Sequence, residues 1–345
     1  MHLKGFTLFY VPREIIMKVT AVKEVLDGPA ARAISNEVTA NLIADLHCQL
    51  GEGILYDDVT DTILFTDILG KSFHKLHLSS GSMSTFQVPK MLASFALLPQ
   101  EQKGYLCAWE DGFQLYDIQN GNPLSEMSIG EDVNPTKLPT RLNDGRCDRE
   151  GRRFICGGFN GDIPGETMKV YKCEYLDSTD LQKPQLTHKP IVDQVEVTNS
   201  ICFSLNGNIM YMADSPTQQI HAYTYNKATG LLSNKTFLHT KPSEVPDGSC
   251  VDAEGYLWNA VWRGGAGPSF VHRVHPTSGD IVFTVHMPDA TSQVSCCCFG
   301  GSNLDVLFIT TAAVSTDLSK EQNAGGLYAV KLGFQGLKEA RFLGQ

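Results

Sequence analysis

The chain has 345 residues, too many for one small core, and fits either two ordinary domains or one large repetitive or barrel-like domain. Hydrophobic residues at 42% and charged residues at 19% describe a globular chain rather than a disordered one. Lys and Arg number 28 against 38 Asp and Glu; the net charge of −10 argues against nucleic acid as a partner and suits a cytosolic enzyme that holds a cation on carboxylates.

Residues 1–16 carry one apolar patch, Phe6 to Val11, followed at once by Pro12, Arg13 and Glu14. That patch is too short for a secretory leader, and no small-residue cleavage site follows it. Met17 is an alternative start, so residues 1–16 are expected to be a dispensable extension and 17–345 a single domain. The longest apolar stretch, near Met91 to Leu98, is far too short to span a bilayer, which predicts a cytoplasmic protein without a membrane partner.

Helix-period patterns are scarce. Short apolar runs recur instead, bounded by Asp, Gly, Asn or Ser: Ile63–Asp67, Tyr105–Trp109, Phe154–Gly157, Ile209–Asp214, Leu257–Val261 and Val306–Thr310. Their β-branched and aromatic content predicts strands. The turns Asp148-Arg149-Glu150-Gly151 and Asp252-Ala253-Glu254-Gly255 match, 252 − 148 = 104 residues apart. Leu64-Phe65-Thr66-Asp67 matches Tyr211-Met212-Ala213-Asp214, with 214 − 67 = 147 between the aspartates. Both intervals are near multiples of roughly 50 residues, the length of a four-stranded propeller blade with its loops. An all-β, six-bladed β-propeller is therefore predicted. Two tandem sandwiches would need a linker near the middle; the candidate, Asp177 to Thr187, is short and polar and reads as a blade insertion. A ring must not leave its end strands exposed, so Val19-Thr20-Ala21-Val22 is expected to pair with Gly326–Val330.

The ten cysteines form no C-x-x-C pair, which removes the dithiol and zinc-ribbon spacings. Cys296, Cys297 and Cys298 lie in a predicted strand, where neighbours point to opposite faces, and are read as small buried hydrophobes in a reducing compartment. No G-x-S-x-G elbow is present, and Gly70-Lys71 has Phe65 where a phosphate loop needs glycine. His74 and His77, like His272 and His275, are three apart; on strands they cannot share a metal and are expected on the rim or surface.

A propeller site forms where inner strands converge, so polar residues heading apolar strands matter most. Four segments qualify. Gly51-Glu52-Gly53 sets a carboxylate between glycines. Arg141-Leu142-Asn143-Asp144-Gly145 should send Arg141 and Asn143 to one side and Leu142 to the other. Thr198-Asn199-Ser200 heads Ile201-Cys202-Phe203 with an amide, and Pro246-Asp247-Gly248 leads into another apolar run. Each taken alone is also an ordinary turn or cap. Together, Glu52, Asn199 and Asp247 supply two carboxylates and a neutral amide oxygen, an all-oxygen set suited to Ca²⁺ or Mg²⁺ and tolerant of Mn²⁺ or Zn²⁺.

These segments, with Leu64–Ile68, Asp148 with Gly151-Arg152, Tyr211–Ser215, Asp252–Gly255 with Leu257-Trp258, and Ser295–Gly301, resemble the senescence-marker-protein/gluconolactonase family on its regucalcin-like side, over about Val38 to Gly333. The resemblance implies a six-bladed propeller with one divalent ion held by Glu52, Asn199 and Asp247, and with Arg141 and Asn143 contacting substrate. The implied activity is metal-dependent hydrolysis of sugar-acid lactones such as gluconolactone, with Asp247 doubling as catalytic proton acceptor for the attacking water. The alternative is a non-catalytic calcium-binding regulatory propeller. The partner expected is a small-molecule lactone, the protein itself being a monomer or small homo-oligomer. Two departures stand out. Ser200 replaces the glycine that usually follows the ligand asparagine, and a substrate-contacting Glu of the family falls on Gly161, with Asp162 beside it.

Overall fold

The computed structural model describes residues 14–31, 36–128, 140–176, 184–265, 267–288 and 290–343. Six sheets follow one another along the chain as the blades of a propeller, antiparallel throughout except that Glu37–Thr39 adds in parallel to Ile281–His286 at the outer edge of the fifth. Their innermost strands are Gly51–Asp57, Leu92–Leu97, Arg141–Cys147, Thr198–Phe203, Val245–Val251 and Val294–Gly300. These strands are almost wholly buried because one end of each faces the axis and both faces meet neighbouring blades.

The repeated turns occupy equivalent places. Asp148–Gly151 joins the first two strands of the third blade and Asp252–Gly255 those of the fifth, two blades on. In each, the glycine N–H donates to the aspartate carbonyl at 2.9 Å. The carboxylates turn inward as clamps: Asp148 accepts from the Tyr225 hydroxyl, and Asp252 from Trp258 Nε1 and Arg273 Nε. Such buried carboxylates are tolerated because their lone pairs are filled.

The ring closes differently from expectation. Asn41–Ala44, not Val19–Val22, pairs with Leu327–Lys331, supplying the outer strand of the sixth blade. Val19 follows the strand Glu14–Lys18, and Ala21–Asp27 is a helix that turns Val22 into the core beside the half-buried Val25 and Leu26. Apolar residues at positions 22, 25 and 26 fit one helix face, and a four-residue run cannot distinguish the two periods. The strand Glu14–Lys18 adds to the first blade against Ser82–Gln87, so the expected boundary at residue 16 falls inside a strand. Residues 1–13 and 177–183, which hold most of the expected extension and of the expected blade insertion, lie outside the described residues.

Alternation within strands is clear at the three adjacent cysteines. Cys296 and Cys298 join one core cluster and Cys297 the next, so each side of the strand feeds a different blade interface. All ten cysteines are buried and unpaired. The histidine pairs split the same way. His77 is exposed, but His74 is buried rather than on the rim, stacked on Phe65 and bonded to Thr85 Oγ1 at 2.9 Å. His272 is likewise buried, between Thr284 Oγ1 and Glu244 Oε2. Alternation forbids a shared metal but leaves one member of each pair facing inward.

The chain's last segment crosses the end of the channel opposite the cavity described below. Gly336 bridges Asp252, Arg146 pairs with Glu339, and Arg341 pairs with Asp57 and donates to Leu98 O. Phe342 is fully buried among the second- and third-blade residues and stacks on Tyr175. Replacing Phe342 with Ala should destabilise the fold by about 3–5 kcal/mol, the usual range for a buried aromatic, read from urea unfolding.

His74 generates a pH prediction. Burial holds its pKa down at about 4, so it is neutral when folded, whereas the unfolded chain takes up a proton near its ordinary 6.5. Its contribution is intact above pH 6.5 and is lost as pH falls toward 4. Between pH 7 and 4.5 the loss amounts to roughly 2–3 kcal/mol. His74→Gln should therefore lose less stability than the parent over that interval, measured by urea unfolding at both pH values.

Candidate functional site

Each inner strand carries a bulge near its head, at Glu52/Leu55, Leu92/Ser94, Leu142/Gly145, Asn199/Cys202, Pro246/Ser249 and Val294/Cys296. A bulge bends the strand and re-aims a side chain. The polar segments that resemble turns in sequence are thus bulges inside strands. They bring Glu52, Arg141, Asn143, Asn199 and Asp247, from four blades, to one cavity of about 530 Å³. Leu142 points away into the core, as alternation predicts. All five polar residues are buried, at 5–7% exposure.

A chain of hydrogen bonds runs around the floor. Arg141 donates to the Asn143 side-chain oxygen, and its guanidinium lies 4.6 Å from the Phe159 ring. Asn143 Nδ2 donates to Thr198 O at 2.8 Å and to Asn199 Oδ1 at 3.2 Å. Asn199 Nδ2 donates to Ser215 Oγ at 2.8 Å, and Ser215 donates to Pro246 O at 2.7 Å. The two bonds fix which way the Asn199 amide faces, and its oxygen, with one lone pair used by Asn143, keeps another for a ligand.

Those carboxyls are in hydrogen-bonding reach of each other. Burial pushes Glu52 up to about 8, reinforced by the nearby Asp144, against smaller opposing effects of the Gly53 N–H and Arg141. Burial, then Glu52 and Asp144, push Asp247 well above the carboxylate range. Two acids so placed cannot both ionise unless positive charge joins them. Burial lowers Arg141 to about 10, which leaves it charged at neutral pH. Among the described residues, the buried Asp247 Oδ1 has no hydrogen-bond partner. An orphaned carboxylate oxygen, a second carboxyl and an oriented amide oxygen fit a hard divalent cation. Among the described residues no group of three His, Cys, Asp or Glu converges, consistent with a set whose third oxygen is an amide.

Ser200, which stands where the family usually has glycine, does not line the cavity. It sits at φ +59° and its hydroxyl donates to Asp247 O at 2.6 Å while accepting from Asn259 Nδ2 at 3.1 Å. Gly161 also stays out of the lining, whereas Asp162 is part of it. Three positioning residues escape sequence reasoning. Ser215 is one. Asp67 and Asp214 are the others: Asp67 accepts from Gln49 and Leu50 N–H at 3.0 and 2.9 Å, and Asp214 from Glu196 and Val197 N–H at 3.2 and 3.0 Å. Each end-of-strand aspartate pins the backbone entering its own blade's inner strand, just ahead of Glu52 or Asn199. The match between Leu64–Asp67 and Tyr211–Asp214 was the signal for them.

The model of the family described as "SMP-30/Gluconolactonase/LRE-like region" matches residues 50–313. The chain belongs to this family. Regucalcin of Oryctolagus cuniculus is 28% identical over 304 residues, covering 86% of this chain and 96% of that protein, and regucalcin of Homo sapiens matches to the same extent. Among solved structures, a luciferin-regenerating enzyme is 28% identical with a TM-score of 0.74, covering 88% of this chain and 98% of its own. A calcium-binding protein, regucalcin, from Agrobacterium tumefaciens shares the fold at 24% identity and a TM-score of 0.75, covering 90% and 99%. No helix among the described residues is long and apolar enough to cross a membrane.

Ser200 offers a test of the floor. A non-glycine residue at positive φ is strained, and its hydroxyl repays part of that through Asp247 O. Ser200→Ala keeps the strain and loses the bond; Ser200→Gly loses both. The alanine variant should therefore be less stable than the glycine variant by about 1 kcal/mol, reversing the ordinary order, as read from thermal midpoints.

Proposed function

We propose that the chain is a divalent-metal-dependent lactonase. The observation that carries this reading is the buried Glu52–Asp247 pair, with its orphaned Oδ1 and the Asn199 amide oxygen, at the floor of an open cavity beside a buried cation, Arg141. Membership of a family that includes gluconolactonases supports it. Glu52, Asn199 and Asp247 would hold the ion, which when bound supplies Lewis-acid polarisation of the carbonyl. Calcium is the first candidate, because the Agrobacterium tumefaciens relative is described as calcium-binding.

The chain's own groups divide the remaining work. Arg141, steadied by Asn143 and Phe159, presents positive charge to the substrate's ester oxygens, where negative charge grows as water adds. Asn143 ties Arg141 to Asn199, so the substrate side and the carboxyl side keep one spacing. Asp247 Oδ1 accepts the proton of the attacking water. Water oxygen bonds to the carbonyl carbon, the ring C–O bond breaks, and the proton passes to the departing ring oxygen, leaving a hydroxy acid. Burial raises Asp247's proton affinity, which opposes the weakening of a base that also ligates a cation.

Asp247→Ala should lower lactone turnover by about 10²–10⁴-fold and abolish divalent-ion uptake in equilibrium dialysis. Chelation should stop turnover of the parent protein, and one of Ca²⁺, Mg²⁺, Mn²⁺ or Zn²⁺ should restore it. Ion binding with no hydrolysis of any lactone would favour the calcium-binding regulatory reading; ordinary activity in Asp247→Ala would refute the role given to that residue.

A further inference from the structure

Above its polar floor the cavity changes character. Leu50, Met91, Val245, Trp262 and Val314 line it, with Phe159 over Arg141. Three of these, Met91, Trp262 and Val314, pack on a small cluster of Leu50, Ile68 and Ala312 that is separate from the cores between blades. The apolar wall is thus a built layer around the mouth. Its origin lies in the repeat: where the second strand ends beside the inner strand's head, blades one and four carry Asp67 and Asp214, but blades three and five carry Phe159 and Trp262. In two blades the position clamps backbone; in two it presents an aromatic face to the cavity.

The neutral polar groups of the floor are largely committed to one another, and its charged groups, Arg141 and the two carboxyls, are left for the ester and the ion. Both amide hydrogens of Asn143 and one of those of Asn199 are spent on neighbours, and Ser215 both accepts and donates within the floor. A polyhydroxylated ring would bring several hydroxyls against the wall, each unmatched one weakening binding by roughly tenfold or more. An alkyl substituent would gain about fourfold for every methylene it buries there.

We propose that this site takes lactones carrying an apolar alkyl or aryl substituent in preference to sugar lactones. The proposal rests on the lactonase reading for the identity of the ring and on the wall for the substituent. The lactone ring sits on the floor, its ester facing Arg141 and the carboxyls. The substituent extends along Met91, Trp262 and Val314 toward the mouth.

The test separates binding from turnover. Calorimetry with the full chain in excess Ca²⁺ compares two non-hydrolysable lactams, 6-pentylpiperidin-2-one and glucono-δ-lactam. The pentyl lactam should bind at least about tenfold more tightly. The near-isosteric double variant Val245→Thr with Val314→Thr, and separately Met91→Gln, should each narrow that gap by about fivefold or more, with unchanged circular dichroism. Equal binding, tighter binding of the sugar lactam, no binding of either, or a gap that survives in every variant overturns the proposal. Hydrolysis of δ-decalactone and gluconolactone is followed in parallel. Preferential lactam binding without hydrolysis of either lactone sinks the lactonase reading and supports the wall's specificity, whereas hydrolysis of both without preference does the reverse.

Discussion

Pairing of Asn41–Ala44 with Leu327–Lys331 is the contact on which the remaining geometry depends. It joins residues from the two ends of the chain into one sheet, and the cost of closing so long a loop grows only logarithmically with length. Once the ring is shut, every blade has a neighbour on each side and the six inner strands must converge. Glu52, Asn143, Asn199 and Asp247, far apart in sequence and each on its own blade, meet only because of that convergence. The site is a property of the whole ring. Damage to the outer strand of the sixth blade would reach the floor through the inner strands of the first and sixth.

What convergence creates is electrostatically expensive. Glu52, Asp144 and Asp247 are all buried; Asp144 raises the proton affinity of Glu52, and Glu52 and Asp144 both raise that of Asp247. Asp144 escapes the cavity by accepting from the Ile201 N–H at 2.7 Å, and Arg146 offsets its charge. Glu52 and Asp247 have no comparable exit. The fold fixes them with bulges, with the Gly53 N–H on Glu52 at 3.0 Å, and with Ser200 and Asn259 both bonded to Asp247 O. Gly248 is required next to Asp247 because a Cβ there would lie 2.4 Å from Cys296 Sγ. Holding two acids in place at such cost is characteristic of a functional centre rather than of a core.

Much of this arrangement could be read from the chain. The 104- and 147-residue spacings gave the blade length because each repeated turn performs one mechanical task, and Asp148 and Asp252 still perform it. Alternation predicted the opposite facing of Arg141 and Leu142 and of Cys296 and Cys297. It failed at the chain's beginning, where Val22, Val25 and Leu26 suit a helix as well as a strand, and at His74, where it decides which residues differ in facing but not which one faces inward. Asp67 and Asp214 were visible only as repeat markers, since their clamping partners are backbone N–H groups that leave no trace in residue type.

The repeat that hides those aspartates also shapes the cavity. In blades one, three, four and five one position, at the end of the second strand, lies beside the inner strand's head, and its occupants follow two physical courses. A carboxylate there folds back to secure the strand that bears a floor residue; an aromatic cannot, and stands into the opening instead. Blade three can spare the clamp because Arg141 is held by Asn143 and by the Phe159 ring itself, and blade five because Pro246 restrains the backbone before Asp247 while Ser215 bonds its carbonyl. Where another restraint secures the inner strand, the position is released to line the pocket. At these four positions floor rigidity and wall polarity are therefore traded against each other, while Met91 and Val314 contribute to the wall alone.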